Sequence, residues 1–236
     1  MPDRLSILVP AYNERRTIVD VLDRLIAIDL PIPREIIVIN DGSTDGTREL
    51  LEDARRRIAG LVVLHTPKNR GKGYSIRAGL AKATGTIVAI QDADLELNPA
   101  QLSDLIGPIL KLQTSVVYGS RFLAGRGSTP LVSYLANRVL SDVTNRMFGS
   151  SLTDMETCYK VMRTAVARSL VLEADRFEIE PEITARLLQA GHRIVERPIT
   201  FTPRSRAAGK KIGWRDGVSA IRTLVRCRRT PPRRLD

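Results

Sequence analysis

The stretch Ile87-Val88-Ala89-Ile90-Gln91-Asp92-Ala93-Asp94-Leu95-Glu96 runs an apolar segment straight into two carboxylates one residue apart. Four apolar residues in a row, three of them β-branched, predict a buried strand. On an extended backbone, residues i and i+2 face the same side. Asp92 and Asp94, with Ala93 between them, are therefore expected to aim at one point past the strand's carboxyl end. Convergent carboxylates repel and resist desolvation unless a cation lies between them. A hard divalent ion with oxygen ligands, Mg²⁺ or Mn²⁺, shared with a phosphate-bearing ligand, answers that need. The plainer reading is a solvated Asp-x-Asp turn ahead of Pro99.

Outward from this stretch the same grammar repeats. Residues 5–9, 35–39, 61–64 and 116–118 read as further short buried strands. Between them lie helical patterns, such as apolar residues at 18, 21, 22, 25, 26 and 28. Strands alternating with helices predict an α/β fold with a mostly parallel sheet. Ligands in such sheets bind beyond the carboxyl ends of the strands, where each polar cluster falls. The second half is less regular. Helices are expected over 129–147 and from 177 to about 190, with a strand over 193–202. A last helix over 214–229 should set Trp214, Val218, Ile221 and Val225 on one face and Arg215, Arg222, Arg226 and Arg229 on another. No repeat or linker divides the sequence, so one domain over 1–236 is expected, in three parts: a regular half (1–122), a less regular half (123–212) and a basic helix and tail (213–236).

At 236 residues with 43% apolar content the chain can bury a full core. It has no apolar run of 18 residues, and its N-terminus turns charged too early for a signal peptide. Two cysteines and two histidines give no disulfide framework and no His-ligated zinc centre, so a reducing, cytoplasmic setting is expected. The net charge of +11 is uneven. Of 37 Lys/Arg and 26 Asp/Glu, residues 203–236 hold 11 and two, which leaves 26 and 24 in the rest. A near-neutral body with a basic end points to a local anionic partner, a phosphate group or a membrane surface. Nucleic-acid binding is the weaker alternative, because such proteins spread their basic surface over the gripping fold.

Five clusters occur in order: Pro10-Ala11-Tyr12-Asn13-Glu14, Asn40 to Thr47 (NDGSTDGT), Asn69-Arg70-Gly71-Lys72-Gly73, Asp92-Ala93-Asp94, and Gly119-Ser120-Arg121-Phe122. Together they resemble GT-A glycosyltransferases of family 2, and within them the dolichol-phosphate (polyprenyl-phosphate) mannose synthases, over roughly residues 5–215. The resemblance implies that Pro10, Tyr12 and Glu14 line a nucleoside pocket with Ile39 and Asp41. It implies that Asp92, Asp94 and Glu96 hold the metal on the donor's diphosphate. Glu96 departs from the glutamine often found there. Arg121 and a basic loop over 204–211, above all Arg206 and Lys210, would contact phosphates. Lys72 reads either as a ligand contact or as a solvated cation at a helix start. Glu180 and Glu182 read as first-turn acids favoured by the helix dipole.

The implied reaction is inverting transfer of a hexose, with mannose from GDP-mannose favoured, to a polyprenyl or dolichyl phosphate. The segment 153–160 departs from the mannose-synthase pattern and also resembles lipid-phosphate glucosyltransferases, so UDP-glucose is an alternative donor. A saccharide hydroxyl acceptor is the other alternative. It would need a general base, for which Asp154 is the candidate. The protein is then expected to work peripherally on the cytoplasmic face of an anionic membrane, with a separate membrane protein as a further partner.

Overall fold

The computed structural model describes residues 2–203 and 214–230. In chain order the elements are β1 (Leu5–Ala11), α1 (Ile18–Ala27), β2 (Arg34–Asn40), α2 (Thr47–Arg57), β3 (Val62–His65), α3 (Lys72–Lys82) and β4 (Ile87–Ile90). A 3₁₀ turn over Pro99–Gln101 then runs into α4 (Leu102–Leu110). β5 (Val116–Ser120), α5 (Leu131–Phe148), β6 (Lys160–Arg163), α6 (Thr164–Ser169), α7 (Ile179–Gln189), β7 (Ile194–Pro198) and α8 (Trp214–Arg229) follow.

The strands form a seven-stranded sheet ordered β3-β2-β1-β4-β6-β5-β7. β1, β2, β3 and β4 are parallel, and β7 runs parallel to β5. β6 is antiparallel to both neighbours, β4 and β5. β1, β2 and β4 are apolar without alternation because helices cover both faces of the sheet. α1 turns Ile18, Val21, Leu22 and Leu25, spaced three and four apart, into the core. After β3 the chain crosses back over β1 to add β4. The topological switch point therefore lies between the carboxyl ends of β1 and β4.

α3 meets the segment before α7 backbone to backbone. A Cβ on Gly73 would lie 2.1 Å from the Ala174 carbonyl oxygen, and one on Gly71 2.4 Å from that of Asp175. Tyr74 N–H donates to Asp175 O at 3.1 Å, which fixes this approach. Gly73→Ala is expected to cost about 1–3 kcal/mol, the usual scale of overpacking. A thermal melt indistinguishable from wild type would refute the packing argument.

α8 packs on the body through a face other than that of Val218 and Ile221. Its buried residues are Ala220, Thr223, Leu224 and Cys227, and Leu224 and Cys227 cluster with Met155 and Ala185 against Leu140, Val143, Met147 and Phe148. Val218 and Ile221 point outward instead. Small residues at 220, 223 and 227 let α8 lie close on α5 and α7 around Leu224, and Val218 and Ile221 are left outside. No helix among the described residues is long and apolar enough to cross a membrane.

Candidate active site

Two loops leave the sheet at the switch point, and the residues that lace them are mostly small and polar. Asn13, with φ at 54°, accepts from Thr44 N–H through Oδ1 at 2.8 Å, and its own N–H donates to Ser43 Oγ at 2.9 Å. Glu14 N–H donates to Thr47 Oγ1 at 3.0 Å. Thr17 Oγ1 then donates to Ala93 O at 2.8 Å, which ties the start of α1 to the turn after β4.

Pro10 and Tyr12 are part-exposed at the end of β1, and Glu14 is buried beneath them. Ile39 has no exposed surface, and its Cδ1 lies over Gly79 of α3, so it supports this region from below rather than lining it. Asp41 is engaged by the neighbouring loop. Its carboxylate accepts from Thr66 Oγ1 (3.1 Å), Asn69 Nδ2 (2.9 Å), Arg70 N–H (2.9 Å) and Gly71 N–H (2.6 Å). Asp41 clasps residues 66–71 rather than presenting a bare carboxylate.

The two aspartates arrive by a different route from the one their spacing suggested. β4 ends at Ile90, and residues 93–96 bend, so strand alternation does not align Asp92 with Asp94. Asp94 is buried, and its Oδ1 accepts from Glu96 N–H at 3.0 Å, which closes the turn. Asp92 is more open and is ion-paired through Oδ1 to Lys72 Nζ at 2.7 Å. Among the described residues no three His, Cys, Asp or Glu side chains gather into a metal cage, so Glu96 does not complete a closed triad. Two hard carboxylates on one turn still fit an ion such as Mg²⁺, which keeps waters and takes its other ligands from substrate phosphates.

Lys72 is no solvated helix-start cation. Its side chain is 11% exposed and bridges Asp92 to Glu180 Oε1, the latter at 2.8 Å. Burial alone would lower its pKa, but Asp92 beside it holds the ammonium well above the usual lysine range.

On the other side of the sheet's rim, Arg121 follows β5. Its Nε and Nη2 each lie 2.7 Å from an oxygen of Asp154, a bidentate fork, and its backbone N–H donates to Asp154 Oδ2 at 3.0 Å. Nη2 also donates to Asn137 Oδ1 of α5 at 3.3 Å. Asp154 has no exposed surface, and both of its oxygens serve Arg121. Burial works against the Arg121 charge, but Asp154 more than offsets it and keeps the guanidinium ionised. Glu196 of β7 holds the loop from behind, accepting from Thr153 N–H (2.9 Å) and Asp154 N–H (3.0 Å). Arg206 and Lys210 lie outside the described residues.

The glycosyl transferase family 2 profile matches residues 6–171, well over half of the chain. The chain belongs to glycosyl transferase family 2. This family 2 chain is 27% identical over 205 residues to glycosyltransferase AglJ of Haloferax volcanii, covering 86% of this chain and 64% of the relative. It is 25% identical over 214 residues to dodecaprenyl-phosphate galacturonate synthase of Rhizobium johnstonii, covering 87% and 61%. It thus spans less than two thirds of the length of these two relatives. Its fold is the GT-A fold. The structure of glucosyl-3-phosphoglycerate synthase from Mycobacterium tuberculosis with Mg²⁺ and UDP superposes with a TM-score of 0.72 at 20% identity, covering 97% of this chain and 80% of that one. At that identity the likeness is one of fold.

The family 2 motifs do not point to Lys160, Glu180, Glu196 or Asn137, yet these side chains hold the site together. A lysine inside the apolar run Tyr159 to Met162 was the one sequence signal available, since a buried lysine needs a buried partner. Glu156, two residues after Asp154, reads from the sequence either as a site carboxylate or as part of a surface ion pair. Its Oε1 is buried with no hydrogen-bond partner among the described residues, and burial pushes its carboxyl up to about 7, against the pull of Lys160. A carboxyl raised in the folded state gives stability that is complete below the unfolded value near 4.5 and is lost as pH rises through about 7. Glu156→Gln should therefore flatten the decline in melting temperature between pH 5 and pH 8. A decline as steep as wild type would assign it to other groups.

Proposed function

We propose that this chain transfers a hexose from a nucleotide sugar to a polyprenyl phosphate, with inversion at the anomeric carbon. The observation that carries the acceptor class is the outer face of α5. Leu131, Val132, Leu135 and Val139 are 52–80% exposed, and their three-, four- and seven-residue spacings place them on one side of the helix. The same helix holds Arg121 through Asn137, and its Tyr134 packs edge-on against Phe122 with ring centroids 5.1 Å apart. An apolar surface beside an anchored guanidinium suits a lipid carrying a phosphate. The dodecaprenyl-phosphate galacturonate synthase relative names an acceptor of that class. Val218 and Ile221 are likewise exposed on α8, and the 11 Lys/Arg against two acids over residues 203–236 suit an anionic membrane.

Asp92 and Asp94 would hold a divalent cation, Mg²⁺ or Mn²⁺, that offsets charge growing on the departing diphosphate. Arg121, held rigid by Asp154, orients the acceptor phosphate. With a second pKa of about 6, that phosphate is largely dianionic at neutral pH and attacks without a protein base. Asp154, spent on Arg121, need not supply one. A hydroxyl acceptor is favoured by one observation only: Glu156, with its unpartnered oxygen and pKa near 7, has the properties of a general base. GDP-mannose is the first donor to test and UDP-glucose the second.

Calorimetric titration with GDP, UDP and their hexose derivatives, with and without Mn²⁺, tests the donor half. Transfer to polyprenyl phosphate in vesicles tests the acceptor half. Metal-dependent binding followed by lipid labelling supports the whole reading. Labelling of a saccharide, abolished in Glu156→Gln, would replace the acceptor.

A further inference from the structure

Glu180 opens α7 from a position 4% exposed, and each of its oxygens meets a different ammonium group. Oε1 lies 2.8 Å from Lys72 Nζ and Oε2 lies 2.5 Å from Lys160 Nζ. Lys72 continues to Asp92 on the donor side. Lys160, with no exposed surface, donates to the carbonyl oxygens of Met155 (3.1 Å) and Thr157 (2.5 Å), and its ammonium lies 4.9 Å from the centre of the Tyr118 ring. Those carbonyls belong to the loop that carries Asp154, and Asp154 holds Arg121. One unbroken chain of charges, Asp92–Lys72–Glu180–Lys160, therefore joins the end of β4 to the loop before β6.

We infer that Glu180 is a positioning residue that couples the donor side of the site to the acceptor side. The inference rests on the reading of Asp92 as part of the donor site. Two buried ammonium groups share this one carboxylate, so neither can move without changing the field at the other. A nucleotide diphosphate and its cation, on reaching Asp92, draw on the same carboxylate that Lys72 neutralises. The resulting adjustment is passed through Glu180 to Lys160 and the 155–157 carbonyls. A purely structural ion network would lower stability when broken, but it would not link a substitution at Lys160 to binding at Asp92.

The test is a double-mutant cycle on nucleotide affinity. GDP and UDP binding in the presence of Mn²⁺ is measured by calorimetry for wild type, Lys160→Met, Glu180→Gln and the double variant, with thermal melts alongside. Lys160→Met, which touches no donor-side group, should weaken nucleotide binding about 5- to 10-fold, the low end of usual coupling strengths. In the Glu180→Gln background the same substitution should add little. Unchanged nucleotide affinity in Lys160→Met, or independent effects that multiply in the double variant, would overturn the coupling while leaving the donor reading intact. Failure of the wild-type chain to bind any nucleotide would overturn the donor reading and this inference with it. Should Glu180→Gln not fold, Lys160→Met decides alone, because it replaces the buried ammonium by an apolar chain of similar length.

Discussion

Asp94→Ala is expected to abolish metal-dependent nucleotide binding and to reduce transfer by at least about 10²–10³-fold, the scale of losing one preorganised electrostatic element. The carboxylate does two things at once. It is one of the two hard oxygen donors on the turn after β4, and its Oδ1 closes that turn by accepting from Glu96 N–H. Asp94→Asn separates the two roles, since an amide oxygen can still accept from Glu96 N–H but brings no charge for a cation. If charge is what matters, the asparagine variant binds nucleotide as poorly as the alanine variant while melting near wild type. Wild-type affinity for GDP and UDP with Mn²⁺ in Asp94→Asn would remove Asp94 from the donor site.

Asp154→Asn is expected to show the second large effect, and on stability as well as on rate. It leaves the Arg121 guanidinium, part-buried and permanently charged, without its fully buried anion. Breaking a buried pair by removing one partner costs about 3–5 kcal/mol. The fork also fixes where the guanidinium points, and a misplacement of about 1 Å in a positioning group can cost about 10²-fold in rate. Because the loss passes through Arg121, transfer to a phosphate and transfer to a hydroxyl acceptor should fall alike. A selective loss of hydroxyl transfer would restore Asp154 to the role of base. Arg121→Lys should resemble Asp154→Asn in rate, because a point charge cannot fill a bidentate fork.

The parallel half of the fold was legible because its strands are apolar without alternation and its first helix carries a clean 3.6-residue pattern. The antiparallel β6 was not. Strand direction is set by pairing across the sheet, and nothing local to Lys160–Arg163 records it. α6, only six residues long, is too short to show a periodic pattern. At the site, the turn bearing Asp92 and Asp94 and the position of Arg121 followed from the motifs. The geometry behind them did not. Strand spacing aligns Asp92 with Asp94 only where the strand continues, and here the chain bends; Asp41, placed by the motifs in a nucleoside pocket, also accepts from Thr66 and Asn69 side chains and from the Arg70 and Gly71 N–H groups. Glu180 and Glu182 satisfied a local rule for first-turn acids, which concealed their distant partners. Glu182 is fully buried, accepting from Glu173 N–H (2.9 Å) and Ala174 N–H (2.8 Å). Local rules describe what a residue does for its own helix and are silent on what lies 20 or 108 positions away, as Lys160 and Lys72 do from Glu180.

The reversed strand also changes what a single rim of the sheet can hold. In an all-parallel sheet every strand delivers its exit to the ligand side and hides its entrance on the far side. Because β6 runs backwards between β4 and β5, its entrance opens where β4 and β5 exit. The segment from Arg121 to Tyr159 thus starts and finishes on the same rim, like a handle fixed at both ends to one edge of a basket. Such a handle can be lengthened, shortened or exchanged without rethreading any strand. Under the proposed function, acceptor recognition could therefore be altered while the loops after β1 and β4 stay where those strands put them.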